Sequence, residues 1–175
     1  RRDLFQLLTQ NNFNFEFIGT MNDGSINDFD KDHEGHGGWH ADQIRDSIYS
    51  WLIKNPADVI LLHIGTNDLN KKQPPLFVIQ EIEQILDEVD KYEQKNNTSI
   101  KVVLAKLINH LLFTEKTHEL NEHITQLVKS RRIDNDLITI VDMNFGLNNP
   151  KYYLDNVHPN ELGYKKMAEL WLEKI

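Results

Sequence analysis

Cysteine is missing altogether from the 175 residues, which excludes disulfides, a thiolate nucleophile and cysteine-based metal sites. Positive charge is in short supply: 19 Lys and Arg stand against 27 Asp and Glu, for a net charge of -8. A nucleic-acid partner wants a basic face, and an anionic membrane surface wants the same, so both are argued against. Neutral or cationic substrates stay open. No apolar run approaches the roughly 18 residues that a membrane-spanning helix needs. With only 5 prolines and 8 glycines, the chain has no low-complexity tract or linker to divide it, and no internal repeat is visible.

What is present is ordinary globular composition, 39% hydrophobic and 26% charged, in one domain over residues 1–175 that is long enough for a real core. Helical and strand patterns alternate. Leu4, Leu7 and Leu8 predict a first helix that ends at an Asn pair. "FNFEFIGT" alternates Phe13, Phe15 and Phe17 with polar residues and predicts a strand. After a polar loop comes a helix with Ile44, Ile48, Trp51 and Leu52 at helical spacing. "ADVILLHIG" then reads as a strand buried on both faces. Pro74 and Pro75 open a helix striped by Val78, Ile82, Ile85 and Val89. "SIKVVLAKL" predicts a second buried strand, Leu120, Ile124, Leu127 and Val128 a long helix, and "DLITIVDM" a further strand. Met167, Leu170, Trp171 and Ile175 mark the closing helix. This alternation implies an α/β fold, a parallel sheet with helices on both faces, whose ligands bind beyond the carboxyl ends of the strands.

Three segments carry chemistry. In "HIGTNDLN", Gly65 permits a sharp turn off a strand, and Asn67 offers two amide N–H donors. Turn-forming and oxyanion-binding readings are both open there. In "DHEGHGGWHADQI", Gly35, Gly37 and Gly38 let the backbone present bare N–H groups. The same stretch holds His33, His36 and His40, which admit a metal-site reading. The zinc-protease spacing is not met, however, and the glycines deny it a helix. In "LDNVHPNELGY", Asp155 and His158 stand three apart, so the carboxylate can reach one ring nitrogen and leave the other as a base. Pro159 keeps His158 extended, and Asn160 can cap the helix that follows.

In this order the three segments resemble the SGNH hydrolases, also called the GDSL family of esterases and lipases. They are most similar to the family three acetyl xylan esterases among the carbohydrate esterases, and the likeness covers essentially the whole chain. It implies a flavodoxin-like three-layer sandwich and an esterase that removes acetyl groups from carbohydrate without a metal or organic cofactor. By the same resemblance His158 is the general base and Asp155 its orienting partner. Gly38 supplies a backbone oxyanion donor and Asn67 a side-chain one. His36, Trp39 and His40 would wall a small acyl pocket or stack on a sugar. Partners are then an acetylated carbohydrate or another small acyl ester, and export follows by family analogy alone.

The resemblance also implies a nucleophile in a Gly-Asp-Ser segment at the end of a first, central strand. Nothing after Arg1 supplies one, so the domain is expected to be N-terminally incomplete, its serine preceding Arg1, and the chain inactive alone. Ser25 lies in a polar loop with no strand running into it; Ser47 and Ser50 sit in a helix, and Ser99 starts a strand at the far end. Residues 13–20 and the "ADVILLHIG" strand should then lie two strand spacings apart, about 9–10 Å. Direct pairing between them would contradict this. The alternatives are an inactive glycan-binding protein of the same fold, and a metal-dependent hydrolase built on His33, His36 and His40.

Overall fold

The computed structural model describes residues 1–22, 29–109, 114–133, 136–155 and 157–175; Ser25 lies outside them. Helix α1 (Arg2–Gln10) leads into residues 13–20 and a two-residue antiparallel ribbon, β1 (Met21–Asn22) with β2 (Asp32–His33). Then follow α2 (Ala41–Lys54), β3 (Val59–Leu62), α3 (Thr66–Asn70), α4 (Pro75–Asn96) and β4 (Lys101–Lys106). The chain continues through α5 (Thr114–Ile133), β5 (Ile138–Asp142), α6 (Met143–Gly146), a 3-10 turn at Pro150–Tyr152, and α7 (Glu161–Leu172).

The sheet is parallel in the order β3–β4–β5, with Leu62 opposite Leu104 and Leu104 opposite Ile140. Strand alternation sends β4 side chains to two separate cores. Val102 and Leu104 meet α2, α4 and α5 through Ile48, Val78, Ile82, Ile85, Leu120 and Ile124. Val103 and Ala105 meet α1 and α7 through Leu4, Leu8, Ala168 and Trp171. The fold is therefore the expected three-layer α/β sandwich, with a small sheet. Each fully buried Val or Leu of β4 contributes about 1.5–3 kcal/mol.

Two expectations are corrected. Residues 13–20 form no strand: among the described residues they pair with none, and only Met21–Asn22 beyond them joins a ribbon. The aromatic alternation is satisfied by packing instead, as Phe15 and Phe17 lie against Phe5 with ring centroids 5.2 and 6.0 Å apart. Nor is β3 buried on both faces. Val59 is 37% exposed, and Ile60 and Leu61 are half-buried. The cause is position: among the described residues β3 is paired on one side only, by β4, and its other edge carries no ladder. Residues 13–20 are thus not joined directly to β3.

The last helix runs against the strands. Lys101, which opens β4, donates through Nζ to the Ile175 carbonyl at 2.9 Å. Counting back along the 12 residues of α7, about 18 Å at 1.5 Å per residue, brings its N-terminus to the carboxyl rim of the sheet. That length, laid antiparallel to the strands, suffices to carry the His158 loop to the end of the sheet from which Gly65 and α3 leave.

Candidate active site

The donor side is built on α3. Gly65 begins it with φ +114°, and an added Cβ would sit 3.1 Å from Leu120 Cδ2 and 3.3 Å from Val78 Cγ1. Glycine is needed there on both counts. The sharp exit puts Asn67 and Asp68 against the segment that precedes α2. Asn67 Nδ2 donates to the Trp39 carbonyl at 2.8 Å, which leaves its second amide N–H for a ligand. Asp68, fully buried, accepts the Ala41 N–H at 3.0 Å through Oδ1 and so satisfies one of the open donors at the start of α2. Burial pushes the Asp68 carboxyl above its ordinary pKa, against the pull of the Ala41 bond.

Gly38 lies one residue before Trp39, at φ +82°, in a turn closed by Trp39 N–H to the His36 carbonyl at 3.4 Å. That is the left-handed conformation of the third position in a type II turn. Its N–H meets no acceptor among the described residues, and an added Cβ would meet nothing within 4 Å. The structure thus brings the two predicted oxyanion donors to one place.

The base side is equally compact. Asp155 Oδ2 lies 2.9 Å from His158 Nδ1, while Oδ1 accepts the backbone N–H groups of Val157 and His158, each at 2.7 Å. These bonds, the His158 backbone bond first, pull the Asp155 carboxyl down to about 2. The carboxylate fixes the imidazole with Nδ1 protonated and leaves Nε2, which has no partner among the described residues, as the basic nitrogen. Both side chains are exposed, at 65% for His158 and 51% for Asp155. The loop is held by its frame: Asn160 caps α7 at the Gly163 N–H and donates to the Lys151 and Tyr153 carbonyls. The His158 carbonyl accepts from Leu154 N–H at 2.8 Å.

The remaining predicted residues take distinct places. His36 stacks on Trp39, centroids 4.1 Å apart, and on Trp51 at 4.9 Å, and its Nε2 meets Glu34 Oε2 at 2.9 Å. His40 is 8% exposed at the N-cap of α2, its N–H donating to Gln43 Oε1 at 3.0 Å. His33 Nδ1 accepts the Gly35 N–H at 2.9 Å. One ring nitrogen of each is thus engaged, Nδ1 of His33 and Nε2 of His36. Among the described residues no group of three His, Cys, Asp or Glu is placed to hold a metal.

Sequence reasoning missed three contributors. Asp68 is hidden inside a turn-like "GTND", and only its burial shows its task. Trp51 reads as a core residue of α2. Glu34 reads as a neighbour of a possible metal site, whereas it accepts from Thr20 N–H, Thr20 Oγ1 and His36.

The fold has counterparts among known proteins. A family 3 carbohydrate esterase from Talaromyces cellulolyticus superposes with a TM-score of 0.85 at 26% identity, covering 98% of this chain and 86% of that one. The Clostridium thermocellum family 3 carbohydrate esterase gives 0.83 at 26% identity, covering 98% and 82%. A multidomain esterase of Ruminococcus flavefaciens is 28% identical over 84% of this chain, which spans only 21% of that larger protein. The model of the GDSL-like lipase/acylhydrolase family matches residues 18–166. That match takes in the Gly38 turn, α3 with Asn67, and the Asp155–His158 pair, and the chain belongs to this family.

Proposed function

We propose that this domain belongs to a serine esterase that removes acetyl groups from carbohydrate. The observation that carries the reading is the Asp155–His158 pair, whose Nε2 has no partner among the described residues; an α7 laid antiparallel to the strands puts it at the end of the sheet from which Asn67 and its Trp39 contact project. The nucleophile is a serine contributed by a segment preceding Arg1. The edge of β3 that carries no ladder among the described residues supports this, because a parallel strand laid there would end at the carboxyl rim of the sheet.

His158 Nε2 takes the serine proton as the hydroxyl attacks the ester carbonyl. The Gly38 N–H and the second Asn67 N–H hold the oxyanion of the tetrahedral intermediate. His158 then protonates the sugar oxygen as its bond to the acyl carbon breaks, leaving acetyl-serine, and water repeats the cycle to release acetate. Asp155 holds the imidazole in its tautomer and balances its charge when protonated. Acetylated carbohydrate as substrate is supported by the two family 3 carbohydrate esterases. Secretion is proposed by the same analogy.

The test uses the full-length protein on p-nitrophenyl acetate and acetylated xylan, with and without a fluorophosphonate. Acetate release abolished by the fluorophosphonate is expected, with the label on a serine before Arg1. Acetate release that survives full labelling of that serine would sink the reading, as would a protein that binds acetylated xylan without cleaving it.

A further inference from the structure

Within the Gly37–Gly38 turn the backbone is closed by one long bond, Trp39 N–H to the His36 carbonyl at 3.4 Å. An added Cβ at either glycine would meet no atom within 4 Å, so the direction of the Gly38 N–H is set from the two ends of the turn. The end after Gly38 is fixed by Asn67 and Asp68. The end before it is His36, whose ring lies flat on Trp39 with an interplanar angle of 22° and on Trp51 with one of 8°. Stacking alone lets a ring slide in its own plane. The bond from Nε2 to Glu34 removes that freedom, and the His36 and Glu34 side chains are only 12% and 24% exposed. Glu34 is in turn tied to Thr20 by two bonds, one of them from Thr20 Oγ1 at 3.0 Å.

We propose that Glu34 is a positioning residue for the oxyanion hole: through His36 and Trp39 it sets where the Gly38 N–H points. This rests on the esterase reading above and adds to it a residue outside the reacting groups. A misdirected donor weakens binding of the oxyanion more than binding of the neutral ester, so the loss falls on kcat rather than KM.

The experiment compares the full-length protein with Glu34→Ala, Glu34→Gln, His36→Phe and the Glu34→Ala/His36→Phe double variant. Steady-state kinetics use p-nitrophenyl acetate, and amide hydrogen exchange is followed across residues 36–39. Glu34→Ala is expected to lower kcat about ten- to a hundredfold, within the loss of about 10²–10³ for a whole donor, with KM changed less than about threefold. Glu34→Gln, which keeps one acceptor oxygen, falls between. In the His36→Phe background, Glu34→Ala causes no further loss of kcat, because the ring through which it acts has no nitrogen to hold. Exchange at 36–39 quickens in Glu34→Ala. Unchanged kcat in a folded Glu34→Ala, an equal loss in both backgrounds, or unchanged exchange overturns the proposal. If the parent cleaves no ester, the esterase reading falls, and exchange alone decides whether Glu34 holds the turn.

Discussion

The Asn67 side chain donates to the Trp39 carbonyl at 2.8 Å, one residue beyond the glycine whose own N–H meets no acceptor among the described residues. One amide thereby serves as a clasp and, in the proposed mechanism, as an oxyanion donor. Asn67→Ala removes both functions, and kcat on p-nitrophenyl acetate is expected to fall about 10²–10³-fold with a smaller change in KM. Steady-state kinetics on the full-length variant check this, and a loss confined to KM would remove Asn67 from the oxyanion hole.

Asp155 stays ionised down to about pH 2. Its pKa in the fold lies below that of a free carboxylate, so what it contributes is present at ordinary pH and lost only as pH falls toward 2. An acid fall in kcat/KM above pH 4 therefore reports a group other than Asp155. Asp155→Asn leaves the loop without its carboxylate, and kcat is expected to drop by up to about 10⁴-fold. A pH–rate profile of the wild type together with the variant's kcat tests both statements.

His63 follows β3, and its Nε2 is buried without a partner among the described residues. Burial lowers its pKa from 6.5 to about 4. The folded chain then resists a proton that the unfolded chain accepts, so stability is full above about pH 6.5 and declines until about pH 4. The decline attributable to this group is about 3 kcal/mol, at 1.36 kcal/mol per pH unit. Urea unfolding at pH 7 and pH 4.5 should show a drop that His63→Leu removes; an equal drop in the variant would place the pH sensitivity elsewhere.

Two glycines near the rim should respond differently to one methyl group. Gly65→Ala adds a Cβ 3.1 Å from Leu120 in a backbone at φ +114°, combining left-handed strain with overpacking at a cost of about 2–4 kcal/mol. Gly37→Ala meets nothing within 4 Å and is expected to leave stability within about 0.5 kcal/mol. Thermal unfolding of the two variants side by side decides it.

How much of this was legible in the sequence depends on where the partners lie. The Asp155–His158 pair could be read because both groups sit on one short loop, where spacing alone decides contact. Helices α2, α4, α5 and α7 were legible because 3.6-residue periodicity is local. The Phe13–Phe17 stretch was misread because alternation reports one apolar face and says nothing about a hydrogen-bonded neighbour. For β3, an apolar run suggests burial on both faces, yet Val59 is exposed on a strand paired on one side only among the described residues. The tasks of Glu34 and Asp68 depend on contacts with Thr20 and Ala41, which no pattern around either acid announces.

The sheet separates the chemistry as well as the cores. Asn67 and the Gly38 turn are carried by the helices packed on one face, whereas the imidazole loop is carried by α7 on the other. In the proposed mechanism the distance between the oxyanion donors and the imidazole is therefore governed by the thickness and twist of the strands between them. A substitution deep in β4, such as Val103→Ala, could shift one half relative to the other and slow turnover while every hydrogen bond within each half stays intact.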